Sequence, residues 1–468
     1  MMTRESLLAV VMIVYVIVMF AISLWAQRRI ESSEDYLVAG RRLPLLLAWA
    51  TILATWFGAA TVLTAADEVH ESGIQKAALD PFGAGLCLIV AGLFFAVPLW
   101  KMGLLTLSDF FRRRFGPRAE LLSALIMVPS YFGWIASQFV ALSKLLQEFY
   151  GGESHVWILV IAAIGRSSTL LGGMWSVSLT DAIQIVLVML GLVVLAIAVL
   201  IRLDGLGTVL EKTEPDRLRM VPENFHLWLG ALCIGIFGNI PGQDLTQRIF
   251  AAKSESVARK ACLIAGGLYL LFGLIPVLLG LAASQVEGVD LKGGVVLALG
   301  KALLDPIPFT IFMLALLSAV LSTIDSAILS PASVLSQNVL PRSNFIGLSS
   351  LSLNRLAVVL VTLASVGLTF MKESAYELLE AAYALTLVGL VVPLALGIYL
   401  KRGGEVAACS SMLVGTGIWM WHFVMNADQF LNDSSLPHRA VVATLAALLA
   451  YLLVGWWSPA RHDETVQS

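Results

Sequence analysis

The string Ser318-Ala319-Val320-Leu321-Ser322-Thr323-Ile324-Asp325-Ser326 interrupts a stretch that is otherwise apolar. Residues 319, 322 and 323 stand at i, i+3 and i+4 and share one face of a helix. Two hydroxyls and a carbonyl there are hard oxygen donors, suited to a small cation. Two further strings carry residues that weaken a helix: Ala54-Thr55-Trp56-Phe57-Gly58-Ala59-Ala60-Thr61 and Ile236-Phe237-Gly238-Asn239-Ile240-Pro241-Gly242-Gln243-Asp244. Glycine adds backbone freedom and proline removes a donor. Carbonyls freed in this way cannot be satisfied by lipid, so such breaks survive where they line a cavity or meet an ion. Four acids lie at similar depth. Asp181 and Asp325 sit within apolar runs, and an intramembrane acid is a functional candidate by default. Asp80 precedes Pro81 and reads either as a cavity-facing counter-charge or as a helix N-cap. Asp244 either neutralises a cation or faces cytoplasmic water beside Arg248.

The elements that must position these groups are membrane helices. Of the 468 residues, 58% are apolar and only 13% charged, about half the charge of a soluble domain. The net charge of −2 excludes a nucleic-acid footprint. Runs of about 20 apolar residues fall at 6–27, 43–66, 80–100, 120–147, 156–173, 177–201, 226–245, 261–283, 306–337, 352–371, 377–400, 405–425 and 439–457, which predicts about thirteen transmembrane helices. The first run lacks a cleavage site and is expected to stay as a span. Arg28, Arg29, Arg41 and Arg42, the basic residues from Lys101 to Arg118, and those from Arg248 to Lys260 gather on one side. By the positive-inside rule the N-terminus is outside and the C-terminus cytoplasmic. Cys87, Cys233, Cys262 and Cys409 all lie in apolar stretches without a C-x-x-C pair, as small buried hydrophobes do.

The two breaks fall in the second and seventh runs, five spans apart. Repeats of inverted topology that each begin with a broken helix make a LeuT-type fold, with solute and ions at the midplane. Residues 1–468 thus read as a single all-α transporter domain. Its core repeats lie at about 43–201 and 226–400, with extra helices at 6–27, 405–425 and 439–457. The short tail after Trp457 gives no expectation of a soluble output domain.

Several strings resemble the sodium/solute symporter family, and within it the high-affinity choline transporter branch. They are Asp35-Tyr36-Leu37-Val38-Ala39-Gly40-Arg41-Arg42; Ala54-Thr55-Trp56; Gly92 to Phe95 with Pro98; Leu171-Gly172-Gly173-Met174-Trp175-Ser176-Val177 leading into Thr180-Asp181; Ile240-Pro241 with Gln247-Arg248; and the 318–326 string. The resemblance covers about residues 5 to 400. It implies a sodium site built from the carbonyls of Ala54, Phe57 and Ala319 and the hydroxyls of Ser322 and Thr323. It also implies a second sodium site at Asp181, Ser322, Asp325 and Ser326, where Asp325 departs from the serine of sialic-acid-transporting members. Trp56 and Trp134 align with aromatic cage positions of the choline branch, and tryptophan faces attract quaternary ammonium groups. Two other cage positions are Ala84 and Gly242 here. Arg166 departs from the neutral residue usual in the family, and Asp181 is a conceivable partner for it.

The expected function is sodium-coupled symport of a small organic solute by alternating access. The solute is an amine or zwitterion, choline-like, at Trp56, Trp134, Asp80, Gly242 and Gln243. Sodium is the coupling ion; the partners are the solute and the bilayer, with no nucleic acid. The expected location is a cell membrane, a prokaryotic inner membrane. A proton-coupled transporter of the same fold, using Asp80, Asp244 or Asp325, is the main alternative. A non-transporting sensor or a membrane-embedded enzyme would be another class, but the six histidines show no H-E-x-x-H spacing.

Overall fold

The structure is a computed structural model, and it describes residues 4–343, 349–370, 375–425 and 438–457. The described chain is helical almost throughout. In hydrocarbon only a helix satisfies its backbone within one segment, and the apolar runs supply the length. The helices are α1 (Arg4–Gln27), α2 (Leu45–Trp56), α3 (Ala60–Ser72), α4 (Ile74–Lys101), α5 (Leu107–Arg114), α6 (Pro117–Tyr150), α7 (Ser154–Arg202), α8 (Phe225–Gly238), α9 (Gln243–Ala251), α10 (Glu255–Ala282), α11 (Pro306–Val339), α12 (Ser350–Thr369), α13 (Leu379–Tyr399), α14 (Glu405–Val424) and α15 (Arg439–Trp457). Ten helices among the described residues are long and apolar enough to cross a membrane, or eleven if the bent pair α2–α3 is one span. The shorter Ser154–Ser167 segment and the 20-residue α14 account for the other predicted runs.

Both predicted breaks are present. The α2 helix stops at Phe57, whose φ of −83° and ψ of 58° leave the helical region, and α3 departs at 58° to α2. The α8 helix stops at Gly238, and α9 restarts after Gly242, whose φ of −68° and ψ of 131° are extended. The strand-like residues flanking the two broken spans pair: Leu43 donates to Ala251 and accepts from Lys253, each at 3.0 Å. This pairing ties the start of α2 to the end of α9.

One expectation changes in detail. The runs at 156–173 and 177–201 follow each other without a connecting loop, as two helical halves of α7 that meet at a kink. The turn is made by a single residue, Gly173, with φ 46° and ψ −141°. A side chain disfavours that backbone region, and here it has no room either, since a Cβ would lie 2.4 Å from the Tyr36 carbonyl.

The α11 helix is largely buried, with every residue from Ala315 to Val334 covered. It runs against α7, α6 and α2, so its polar string is aimed inward. The α1 helix lies against α7 and exposes Ile13, Val14 and Ile17, while α15 exposes Leu453 and Trp456. Such faces suit hydrocarbon.

Replacing Gly173 by alanine is expected to destabilise the protein by about 2 kcal/mol or more, from backbone strain and the clash with Tyr36. A thermal melt of the detergent-solubilised variant checks this. An unchanged midpoint would show that α7 turns elsewhere.

Candidate functional site

The site begins where the backbone of α2 runs out. The Thr55 carbonyl would normally accept from the Ala59 amide. Instead Thr323 Oγ1, on α11, donates to Thr55 O at 3.0 Å and also lies 3.0 Å from Ala319 O. The Ala59 amide donates to Gln138 Oε1 on α6 at 3.0 Å. The Trp56 carbonyl accepts from Tyr269 at 3.2 Å and Thr61 at 3.3 Å. Gly58 makes this approach possible, because a Cβ there would stand 2.4 Å from Thr323 Oγ1. Thr323 and Ala319 of α11 thus meet the end of α2 at Thr55, and Ala54, Phe57 and Ser322 are buried as well.

One turn further along α11 lies a centre organised by Asp181. Ser322 Oγ donates to Asp181 Oδ1 at 2.6 Å, and Thr51 Oγ1 donates to Oδ2. Arg248, at the end of α9 and only 1% exposed, reaches the same carboxylate with Nη2 at 3.7 Å. The same nitrogen donates to Ser326 Oγ at 2.5 Å, which also accepts from Thr55 at 2.9 Å. Nε donates to Thr51 at 3.2 and 3.1 Å, and Nη1 to the Asp244 carbonyl at 2.8 Å. The guanidinium fork is thus largely committed within the protein. Asp325, one turn beyond Ser322 on α11, lines a cavity with Gln184, Thr180 and Leu321. Of the four side chains that the resemblance implied for a second sodium, Arg248 touches two. Asp181 is therefore paired with Arg248, while Arg166 stays half-buried with its Nε unbonded.

A third group of side chains surrounds the break in α8–α9. Asp244 does not face cytoplasmic water; it is buried, with Oδ2 accepting from Trp56 Nε1 at 2.6 Å and Oδ1 from the Tyr131 hydroxyl. The Asp244 amide donates to the same Tyr131 oxygen at 2.9 Å, and Thr386 caps the Gly238 carbonyl at 2.6 Å. Trp134 packs at 5.7 Å from Tyr131 and 6.4 Å from Tyr383, centroid to centroid. Tyr131, Trp134, Gly242, Asp244 and Tyr383 line a chamber of about 20 Å³, room for a single water in this closed arrangement. Gln243 points away from the chamber. Its Oε1 accepts from the Leu107 amide of α5 at 2.7 Å, and its Nε2 donates to Ser333 of α11 at 2.9 Å.

Asp80 is extended (φ −146°, ψ 126°) and caps nothing with its side chain. It accepts from Tyr269 at 2.9 Å and from Thr61 at 3.0 Å, the two side chains that hold the Trp56 carbonyl. It therefore supports the α2–α3 break from behind, with 7% of its surface exposed.

Reasoning on the sequence missed Tyr131, Tyr383, Tyr269, Gln138 and Arg248. Tyr131 stands three residues before Trp134 on one helix face, and Arg248 four after Asp244, so both had a spacing signal. Gln138, four after Trp134, had one as well, while Tyr383 and Tyr269 had none.

Comparison with known proteins gives this geometry a family. The sequence pattern of the sodium:solute symporter family matches residues 36–415. The chain belongs to that family. The symporter is 26% identical to high-affinity choline transporter 1 of Drosophila melanogaster, over 95% of this chain and 77% of that protein. It is 29% identical to the Homo sapiens choline transporter over 72% and 62%, and 26% identical to the high-affinity proline transporter PutP of Bacillus subtilis (strain 168) over 86% and 89%. In structure it resembles a sodium-coupled sialic acid symporter in a substrate-bound outward-open state, with TM-score 0.80, 18% identity and 97% and 98% coverage. It also resembles Mhp1, a nucleobase-cation-symport-1 family transporter, with TM-score 0.61, 17% identity and 90% and 94% coverage. The fold is LeuT-type, and the chain is a multi-pass sodium-coupled symporter rather than an enzyme.

The symporter's buried Asp181–Arg248 pair yields a test. Removing one partner alone leaves a bare buried charge, at a cost of about 3–5 kcal/mol. Asp181→Asn and Arg248→Met are each expected to lower the melting temperature, and the double variant by clearly less than the sum. Additive losses would show that the two groups do not compensate each other.

Proposed function

We propose that the symporter carries a small organic amine or zwitterion with a choline-like head group. The observation that carries this reading is the Asp244 carboxylate, held by Trp56 and Tyr131 at a chamber walled by Trp134 and Tyr383. Ring faces attract a cation, and a buried carboxylate lowers the cost of bringing one out of water. The cage positions given up at Ala84 and Gly242 are offset by Tyr131 and Tyr383. Relatives named as choline transporters point the same way. The solute enters when the broken halves α8 and α9 move away from α6 and α13, because the closed chamber is too small for it.

Sodium, in this reading, binds where α2 breaks against α11, with the carbonyls of Ala54, Phe57 and Ala319 and the hydroxyls of Ser322 and Thr323. The support is the Thr323–Thr55 and Thr323–Ala319 geometry and the close approach at Gly58. A second sodium at Asp181, Ser322, Asp325 and Ser326 would compete with Arg248, a fixed cation already in contact with Asp181 and Ser326. One sodium per solute follows. The arginine clusters that frame the loops support an outside N-terminus in a cell membrane.

Uptake into proteoliposomes tests the solute. Choline, betaine, amino acids, sugars and carboxylates are added as competitors. Trp134→Ala and Tyr383→Ala are each expected to raise the half-saturating amine concentration about two- to thirty-fold, from cation–π contacts of ~0.5–2 kcal/mol. Competition by sugars or carboxylates alone, or no shift in either variant, overturns the amine.

The same vesicles test the ion. Uptake is expected to follow sodium with a Hill coefficient of about one, and Ser322→Ala or Thr323→Ala should raise the sodium needed for half-maximal rate. Full uptake driven by protons in sodium-free medium would place the coupling on an acid such as Asp80 instead.

A further inference from the structure

Away from the transport path, a cavity of about 290 Å³ lies between α1, both halves of α7 and α11. Its polar lining consists of acceptors. Ser23 donates its proton to Met19 O at 3.0 Å and accepts from Ser176 at 2.6 Å, Ser167 donates to Ile164 O at 2.7 Å, and Thr180 to Ser176 O at 3.0 Å, so what these hydroxyls still offer the cavity is lone pairs. Gln184 is 2% exposed; its Nε2 donates to Tyr15 at 2.9 Å, while its Oε1 has no hydrogen-bond partner. Asp325, 6% exposed, adds a carboxylate, and among the described residues no basic side chain lines the space. The remaining wall is hydrocarbon. Two of its members, Ile17 and Phe20, are 60% and 39% exposed on the outer face of α1, so the mouth opens on the bilayer.

We propose that this cavity binds an amphiphilic primary amine arriving from the membrane. Its ammonium group sits at Asp325 and Gln184 Oε1, and its alkyl chain leaves along Ile17 and Phe20. The donor set selects the class. An anion would meet only acceptors and a carboxylate. A metal ion wants a close shell of oxygens, which a wall made mostly of carbon does not provide. An uncharged acyl chain would leave Gln184 Oε1 buried without a donor, which is costly. An alkylammonium offers three N–H donors, a charge and a carbon tail, and so matches each part of the lining. The cavity adjoins the sodium position without sharing its break in α2: Asp325 stands one turn beyond Ser322 and nearly opposite Thr323 on α11, and lines the space beside α1.

The test measures equilibrium binding of radiolabelled dodecylamine to the full-length symporter in phosphatidylcholine nanodiscs at neutral pH, against empty discs. Saturable binding is expected, displaced by unlabelled dodecylamine but not by dodecanol, dodecyl sulfate, choline or sodium. Asp325→Asn and Gln184→Leu should each weaken it about ten-fold or more, the scale of a lost charged or buried hydrogen bond. Ile17→Trp fills the mouth; it should abolish binding while sodium-driven uptake persists, which separates loss of the site from misfolding. Equal displacement by dodecanol, an unchanged affinity in Asp325→Asn and Ile17→Trp, or displacement by sodium would each overturn the proposal, the last by assigning the cavity to a metal ion.

Discussion

A backbone carbonyl that loses its helical partner inside a bilayer must find another donor within the protein, and the core of this structure follows from that requirement. Where α2 stops, Thr55 and Trp56 turn their carbonyls to Thr323, Thr61 and Tyr269, and the Ala59 amide turns to Gln138. Where α8 stops, Gly238 is met by Thr386 and Asp244 by Tyr131. Each substitution recruits a hydroxyl or amide from a neighbouring helix. The breaks therefore fix which helices stand beside them, and they gather oxygen atoms at one depth. A cation site at such a place needs little more than the exchange of a hydrogen bond for a lone pair.

Buried charge is handled by the same economy of partners. Arg248 is surrounded by Asp181, Ser326, Thr51 and the Asp244 carbonyl, so a full positive charge is held at the bundle centre with each of its three nitrogens bonded. Asp244 itself turns to Trp56 and Tyr131. Because Arg248 and Asp244 sit four residues apart on α9, one short helix carries both a counter-charge for α7 and an anion for the chamber. A shift of that helix would alter both together.

Much of this was legible from residue order. Hydrophobic runs placed the helices, and the Gly and Pro clusters placed both breaks, because those signals are local. The i, i+3, i+4 set at 319, 322 and 323 was visible for the same reason. What could not be read was the meeting of distant segments. Tyr383 belongs to the chamber only because α13 packs against α6 and α8, and nothing in its own neighbourhood marks it. Asp244 read as a residue at a cytoplasmic boundary, since the span appeared to end near 245, whereas α9 continues to Ala251 and stays buried. Asp181 and Asp325 read as one site from the row 322, 325 and 326, whereas the cavity that Asp325 lines beside α1 depends on a distant helix and had no local signal. Gly173 was part of a recognised motif, yet only its φ shows that it replaces a loop.

Gln243 has a mechanical consequence. Through one neutral amide it fastens the restart of the broken span to the Leu107 amide of α5, to Ser333 of α11 and, at 3.4 Å, to the Leu105 carbonyl. Opening the protein on the side of α5 requires letting go of these contacts, each worth about 0.5–1.5 kcal/mol net. The total is a few kcal/mol, comparable with the ~2.3 kcal/mol that one charge gains by crossing 100 mV. A latch of this strength keeps the resting population overwhelmingly shut on that side, yet a single ion moving down its gradient supplies work of the size needed to release it. An ionic clasp in the same position would hold too firmly for such a drive, whereas an apolar contact would leak.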